Sequence, residues 1–133
     1  MVAFAIRSLA PELHLVAKVE RQEAIDHLPA LYGAADELWI CRGDLGAQLG
    51  IGSLARWLHR FVPRNGAKPT LIAGQVLEHL THHASPTRSE VCHLFDLLSR
   101  GYAGVVLSDE TAVGRDPIQA TTTCADLLRD LVA

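Results

Sequence analysis

Hydrophobic residues gather in five short runs along the chain: VAFAI (2–6), LHLVAKV (13–19), ELWIC (37–41), TLIAG (70–74) and AGVVLS (103–108). Each is nearly continuous in hydrophobicity rather than alternating, the pattern of strands buried on both faces of a parallel sheet. The intervening stretches carry helical periodicity. Ala24, Ile25, Leu28 and Leu31 form a stripe that ends at Gly33. Ser53 stands as an N-cap before Leu54, Trp57, Leu58 and Phe61, with Pro63 and Asn65-Gly66 as the stop. Thr87 and Glu90 form a capping box before Val91, Leu94, Phe95 and Leu98, and Gly101 closes that helix. Asp116 caps a last helix with Pro117 at its first position and Leu127, Leu128 and Leu131 on its stripe. Alternation of strands and helices predicts an α/β fold with right-handed crossovers.

Two features interrupt this regularity. Only residues 7–12, Pro11 among them, join the first run to the second, whereas a parallel crossover takes about a dozen residues or more. The first run therefore either pairs with the second as a hairpin or goes elsewhere, including onto another chain. Four or five parallel strands, moreover, do not close an eight-stranded barrel, which takes about 250 residues. Open strand edges and an apolar interior require cover. The expected architecture is a single domain, residues 1–133, forming a partial TIM-type (β/α) barrel of about four to five parallel strands, completed by oligomerisation or by a partner subunit.

Composition narrows the classes of function. Apolar residues make up 49% of the chain, which excludes a disordered polymer. The formal net charge is −3 with no basic block, so nucleic acid is not the expected partner. No apolar run reaches the roughly 18–20 residues of a membrane span, and the opening MVAFAIRSLAPE is too short and too lightly charged for a secretory signal. Cys41, Cys92 and Cys124 lie far apart with no CxxC pair and read as free thiols of a cytoplasmic, reducing compartment.

Candidate chemistry sits where apolar runs meet polar residues: AKVE (17–20), CRGDLG (41–46) and AGQVLE (73–78). In a parallel barrel the reactive end is the C-terminal end of the strands, so Lys18, Glu20 and Asp44 are expected on one face. An acid pair with a lysine suits a hard cation and an anionic oxygen substrate. Other signals read as structural. Gly50, Gly52 and Ala55 spell G-x-G-x-x-A but lack the preceding strand that a dinucleotide site requires. His79, His82 and His83 share one face of an expected helix and read as exposed, with no further ligand to close a zinc site. Arg42 reads as a structural ion-pair partner, Cys41 as a buried inert thiol, and Thr87 with Arg88 as a helix start.

The same segments resemble, in order, the second half of the catalytic barrel of pyruvate kinases. AKVERQEAID, WICRGDLG, GAKPTLIAGQVLEHL, SPTRSEV and GYAGVVLSDETAVGRDPIQA follow that family's strand ends and loops, and VAFAIRS resembles the strand before them. The resemblance implies a magnesium (or manganese) site with Glu20 and Asp44 as ligands. It implies Lys18 as the catalytic cation for an enolate and a transferring phosphoryl group. The amides of Gly43 and Asp44 would hold a substrate carboxylate. Gly74 stands at a substrate-binding position where the family has a threonine, Asp109 where it has a glycine, and Arg21 where it has an asparagine. The implied ligand is phosphoenolpyruvate or another small 2-oxo acid. The implied class, if the chain is an enzyme, is a pyruvate kinase-type glycolytic transferase or a metal-dependent enolpyruvate or oxo-acid enzyme, with efficient phosphoryl transfer not expected of this chain alone. The family's front half-barrel has no counterpart in the chain. The alternatives are a non-catalytic oligomerising or regulatory pseudoenzyme subunit, or one half of a split pyruvate kinase.

Overall fold

Four of the five apolar runs are strands. A computed structural model describes residues 2–63 and 68–132, and in it β1 (Val16–Val19), β2 (Glu37–Cys41), β3 (Thr70–Ala73) and β4 (Gly104–Val106) form one parallel sheet in the order β1-β2-β3-β4. Strictly sequential order marks an arc of a singly wound (β/α) barrel, because doubly wound sheets reverse direction at a switch point. The fold is α/β, a partial barrel. Along the register Val19, Ile40, Ile72 and Val105 lie side by side. With Leu38 and Thr70 they face the helical layer, where all but Val105 are buried. The Tyr32 hydroxyl shares a hydrogen bond of 2.8 Å with that of Thr70, which satisfies the buried threonine. The alternate positions, Val16, Lys18, Trp39, Leu71 and Val106, point to the lumen side and are partly or largely exposed.

The fifth run corrects the sequence reading: VAFAI is not a strand but lies in helix α1 (Val2–Leu9). The short connection leaves it no way to join the ladder in parallel, and a helix satisfies its own backbone without a neighbouring strand. Arg7 anchors α1. Its guanidinium donates to the carbonyls of Pro11 (3.2 Å) and Leu13 (2.8 Å) and to Asp36 Oδ2 (2.6 Å). Asp36 also accepts from the Leu15 amide at 2.8 Å, so one carboxylate fixes both the helix and the entry to β1.

The first helical stripe is split into α2 (Gln22–Asp26) and α3 (Leu28–Ala34). Pro29 has no N–H to continue the ladder, and His27 takes the break, its Nδ1 bonded to the Glu23 carbonyl at 2.7 Å. Helix α1 packs beside α3. Ser53 is not an N-cap: α4 (Arg42–Leu49) and α5 (Ile51–Arg60) meet at Gly50, whose φ of +79° turns the chain between them. The stripe Leu54, Trp57, Leu58 and Phe61 still packs on the core. The expected stop at Asn65-Gly66 lies outside the described residues. The histidine segment is not a regular helix: His79 lies in a 3₁₀ turn (Glu78–Thr81), and His82 and His83 follow it.

The two remaining capping expectations hold. In α6 (Arg88–Ser99) the Glu90 amide donates to Thr87 Oγ1 at 3.2 Å and the Thr87 amide to Glu90 Oε2 at 2.7 Å. Gly101, with φ of +98°, follows its end. A short helix, α7 (Asp109–Ala112), precedes α8 (Pro117–Val132), where the Gln119 amide donates to Asp116 Oδ1 at 2.9 Å. Thr87→Ala is expected to lower stability in urea unfolding by about 1 kcal/mol, and Thr87→Ser by much less, because serine keeps the capping oxygen.

Candidate functional site

The sheet register delivers the ends of four strands to one edge, and a cavity of about 260 Å³ opens there. Lys18 reaches it from the lumen side of β1, Glu20 from just past the strand, and Gly43 and Asp44 from the start of α4. Gly74 follows β3, and Ser108 follows β4. All five residues expected from sequence are therefore brought together.

Lys18 and Glu20 form an ion pair, with Nζ 2.5 Å from a buried Glu20 Oε1. The lysine, through its hydrogen bond and charge, holds the Glu20 carboxyl below its ordinary 4.5 against a smaller opposing effect of burial. Glu20 in turn raises the Lys18 ammonium above 10.5. Both groups are charged across the neutral range.

Helix α4 begins directly where β2 ends, with no loop between them. Cys41 is the last strand residue and the N-cap, and no side chain caps the helix. The amides of the first turn, at Arg42, Gly43 and Asp44, are those an α-helix leaves without an internal acceptor. Together with the helix dipole they form a site suited to an oxyanion. Cys41 itself is buried; burial first, then the Glu20 charge, pushes its thiol up to about 11, so it is an inert thiol at neutral pH. Glycines 50 and 52 follow α4 rather than a strand, which removes the dinucleotide reading.

Arg42 departs from its expected role. Its partners are not carboxylates. Nε and Nη2 both donate to the Gly74 carbonyl, at 3.0 and 2.5 Å, Nη2 also donates to the Gln75 carbonyl at 2.7 Å, and Nη1 donates to His93 Nε2 at 2.8 Å. Burial first, then the arginine charge, lowers the His93 pKa, keeping that imidazole neutral as an acceptor. The clamp holds a turn in which Gly74 (φ +82°) and Gln75 (φ +53°) are both left-handed. The space around a Cβ at Gly74 is open, with nothing within 4 Å, so conformation rather than crowding sets the residue type there.

Three residues near the site escaped the sequence reading. Trp39 lines the cavity and its indole N–H donates to Glu37. Ser108 lines the opposite wall. Glu110, 1% exposed, accepts from the Leu77 amide (3.1 Å) and the Ser108 amide (2.7 Å). It thereby ties the loop after β3 to the loop after β4. The SDET segment at the end of an apolar run carried the signal for the last two; nothing in the local pattern singled out Trp39.

A family model described as "Pyruvate kinase, barrel domain" matches residues 4–121. The chain belongs to the pyruvate kinase family. It is 34% identical over 116 residues to a pyruvate kinase of Mycobacterium tuberculosis, 32% over 120 residues to one of Thermococcus litoralis, and 31% over 117 residues to plastidial pyruvate kinase 3, chloroplastic, of Arabidopsis thaliana. These alignments cover 86%, 89% and 86% of this chain and 25%, 25% and 20% of the relatives. The chain thus spans about a quarter or less of the length of the pyruvate kinases it matches. Among the described residues no helix is long and apolar enough to cross a membrane.

The φ of Gly74 sets a test. Gly74→Thr, which installs the residue type of the pyruvate kinase pattern, is expected to destabilise the fold by about 1–3 kcal/mol in urea unfolding, since a β-branched residue is strained at positive φ. The ion pair sets another. Because the Glu20 pKa is lowered in the folded state, the pair is intact above pH 4.5 and is lost only as pH falls through the lower folded value. Carboxyl NMR titration should give a Glu20 midpoint under 4.5, moving upward in Lys18→Met; an unchanged midpoint in that variant would refute the assignment.

Proposed function

We propose that the cavity is a binding site for phosphoenolpyruvate, pyruvate or a related small 2-oxo acid together with Mg²⁺ or Mn²⁺. The single observation that carries this is the meeting of Lys18, Glu20, Asp44 and the uncapped start of α4 in one cavity. The donor set fits a hard divalent cation. Among the described residues no three His, Cys, Asp or Glu gather to enclose a metal, and Mg²⁺ is ordinarily held by one or two carboxylates, with water and substrate oxygens completing its shell. Glu20 and Asp44 would be those carboxylates, and a bound cation would supply Lewis-acid polarisation of the substrate carbonyl.

The amides of Gly43 and Asp44 would donate to the substrate carboxylate. Lys18 would then stand against the carbonyl oxygen. In enolisation of pyruvate a methyl C–H bond breaks, its electron pair becomes the C=C bond, and the carbonyl pair moves onto oxygen. The proton passes to water in the open cavity, and the Lys18 ammonium offsets the new oxyanion charge. Gly74, which lines the cavity, would stand on the reacting carbon's side without a hydroxyl. The proposed activity is therefore oxo-acid binding and proton exchange, rather than efficient phosphoryl transfer, which depends on a fuller clamp of positioned charge.

A second reading draws on the lumen face. Trp39, Leu71 and Val106 are only partly buried there, which favours a chain that assembles with a second copy or a partner subunit. This includes the case of a regulatory pseudoenzyme subunit or one half of a split kinase. Sedimentation at micromolar concentration should then show a species larger than the monomer; a well-folded monomer would count against this reading alone.

Calorimetric titration with oxalate, an analogue of enolpyruvate, tests the first reading. Binding is expected in the presence of Mg²⁺, with loss of at least about tenfold in affinity without the metal or in Asp44→Ala, the scale of one lost charge-assisted contact of 1.5 kcal/mol or more. Equal binding in both proteins, or none in either, would reject the site. Exchange of the pyruvate methyl protons with deuterium, followed by NMR and abolished in Lys18→Met, tests the catalytic part.

A further inference from the structure

The 3₁₀ turn after β3 and the residues just past it carry a second constellation, apart from the carboxylate cavity. The rings of His79 and His83 are stacked, with centroids 3.7 Å apart and planes inclined by 5°. Each ring has its Nδ1 against a backbone carbonyl: His79 Nδ1 against Ser85 at 2.8 Å, and His83 Nδ1 against His79 at 3.3 Å. A carbonyl only accepts, so each Nδ1 carries the proton. In the neutral ring each Nε2 is therefore an unprotonated lone pair. No hydrogen bond engages either Nε2 among the described residues.

This is the state in which a metal-binding histidine is normally found, one nitrogen donating to a carbonyl and the other free to ligate. The backbone is fixed independently. The His79 amide donates to Glu90 Oε1 at 2.9 Å, the His83 amide donates to the His79 carbonyl at 2.9 Å, and the Arg115 amide donates to the Thr81 carbonyl at 3.0 Å. His83 is exposed and His79 partly so, so an ion in solution reaches the pair.

We propose that His79 and His83 form a two-histidine site for a borderline divalent transition metal, of the Cu²⁺, Ni²⁺ or Zn²⁺ class. Imidazole nitrogen suits these ions, whereas Mg²⁺ prefers oxygen donors. The ring planes are nearly parallel, so the two in-plane lone pairs run side by side, and chelation of one ion requires the rings to rotate out of the stack until the lone pairs meet. With no third His, Cys, Asp or Glu gathered beside them among the described residues, the remaining positions of the ion go to water or to a small ligand. The site sits on the connection between β3 and α6 and shares the carboxylate of Glu90 with the capping box of α6. A bound ion therefore braces the start of that helix.

Titration calorimetry of the full chain with Cu²⁺, Ni²⁺, Zn²⁺ and Mg²⁺ at neutral pH tests this. One equivalent of each transition metal is expected to bind, Cu²⁺ more tightly than Ni²⁺, in the order that such sites follow. His83→Ala should weaken Ni²⁺ binding by roughly tenfold or more, a scale reached even by loss of a partner that only supports a ligand. His82→Ala, Cys92→Ser and Asp44→Ala should leave it unchanged, the last separating this site from the carboxylate cavity. His83 is exposed, so its variant is expected to keep the circular dichroism of the parent, and electron paramagnetic resonance of the Cu²⁺ form should show two equatorial nitrogens, falling to one in His83→Ala. Unchanged affinity in His83→Ala, no binding by the parent, or loss in Cys92→Ser would overturn the proposal.

Discussion

The parallel hydrogen-bond ladder is the constraint from which the site follows. Val19, Ile40, Ile72 and Val105 lie abreast, so the residues just beyond them emerge along one edge: Glu20, the Cys41–Arg42 junction, Gly74 and Leu107–Ser108. The period of two then decides the faces. Lys18 lies between Ala17 and Val19, which pack toward the helices. A slip of β1 by one residue would drive the ammonium into the apolar layer and carry a valine into the cavity. Packing of the hydrophobic face therefore protects the polar one. Burial of Val19, Leu38, Ile40 and Ile72 at 0% exposure fixes the register that Lys18 depends on.

Strand ends alone do not shape a cavity; the turns after them must be held. Two charged side chains do this by binding backbone rather than each other. Arg42 gathers the carbonyls of Gly74 and Gln75, and Glu110 gathers the amides of Leu77 and Ser108. The sign of each charge matches the group it holds, since a guanidinium only donates and a carboxylate only accepts. Both bonds are non-local, 32 and 33 residues apart in sequence for Arg42–Gly74 and Glu110–Leu77, and each spans two strands of the sheet. A charged group buried with its hydrogen bonds satisfied is tolerated; removing its partners leaves an expensive unpaired ion. The turns are thus locked by groups whose alternative states are unfavourable.

What could be read in the sequence follows the range of the interactions. Strands β1 to β4 show as continuous apolar runs, and the capping box of α6 and the Asp116–Pro117 start of α8 rest on neighbours a few residues away, so these patterns were visible. So was the convergence of Lys18, Glu20 and Asp44, because a parallel ladder makes that convergence a matter of strand ends. VAFAI was misread because apolarity alone does not separate a strand from a helix. The deciding facts were the short connection and the distant Asp36 that receives Arg7. Arg42 was misread for the same reason: its acceptors are carbonyls of a turn more than thirty residues away, which no local pattern displays. The split at His27 was open to reading, since Pro29 stood within the stripe.

Charge at the cavity has a consequence for the order of events under the proposed reading. One ammonium, Lys18, and two carboxylates, Glu20 and Asp44, line it, leaving one net negative charge. An anionic oxo acid entering first meets that charge and a lysine already engaged at 2.5 Å with Glu20. A divalent cation held by Glu20 and Asp44 would reverse the sign and leave Lys18 free to stand against the substrate oxygen. The helix start at Gly43 and Asp44 supplies only partial charge, too little to invert the balance. The ion pair thus holds Glu20 and Lys18 in place at neutral pH while keeping the lysine occupied, so productive binding of the oxo acid is expected to follow the metal rather than precede it.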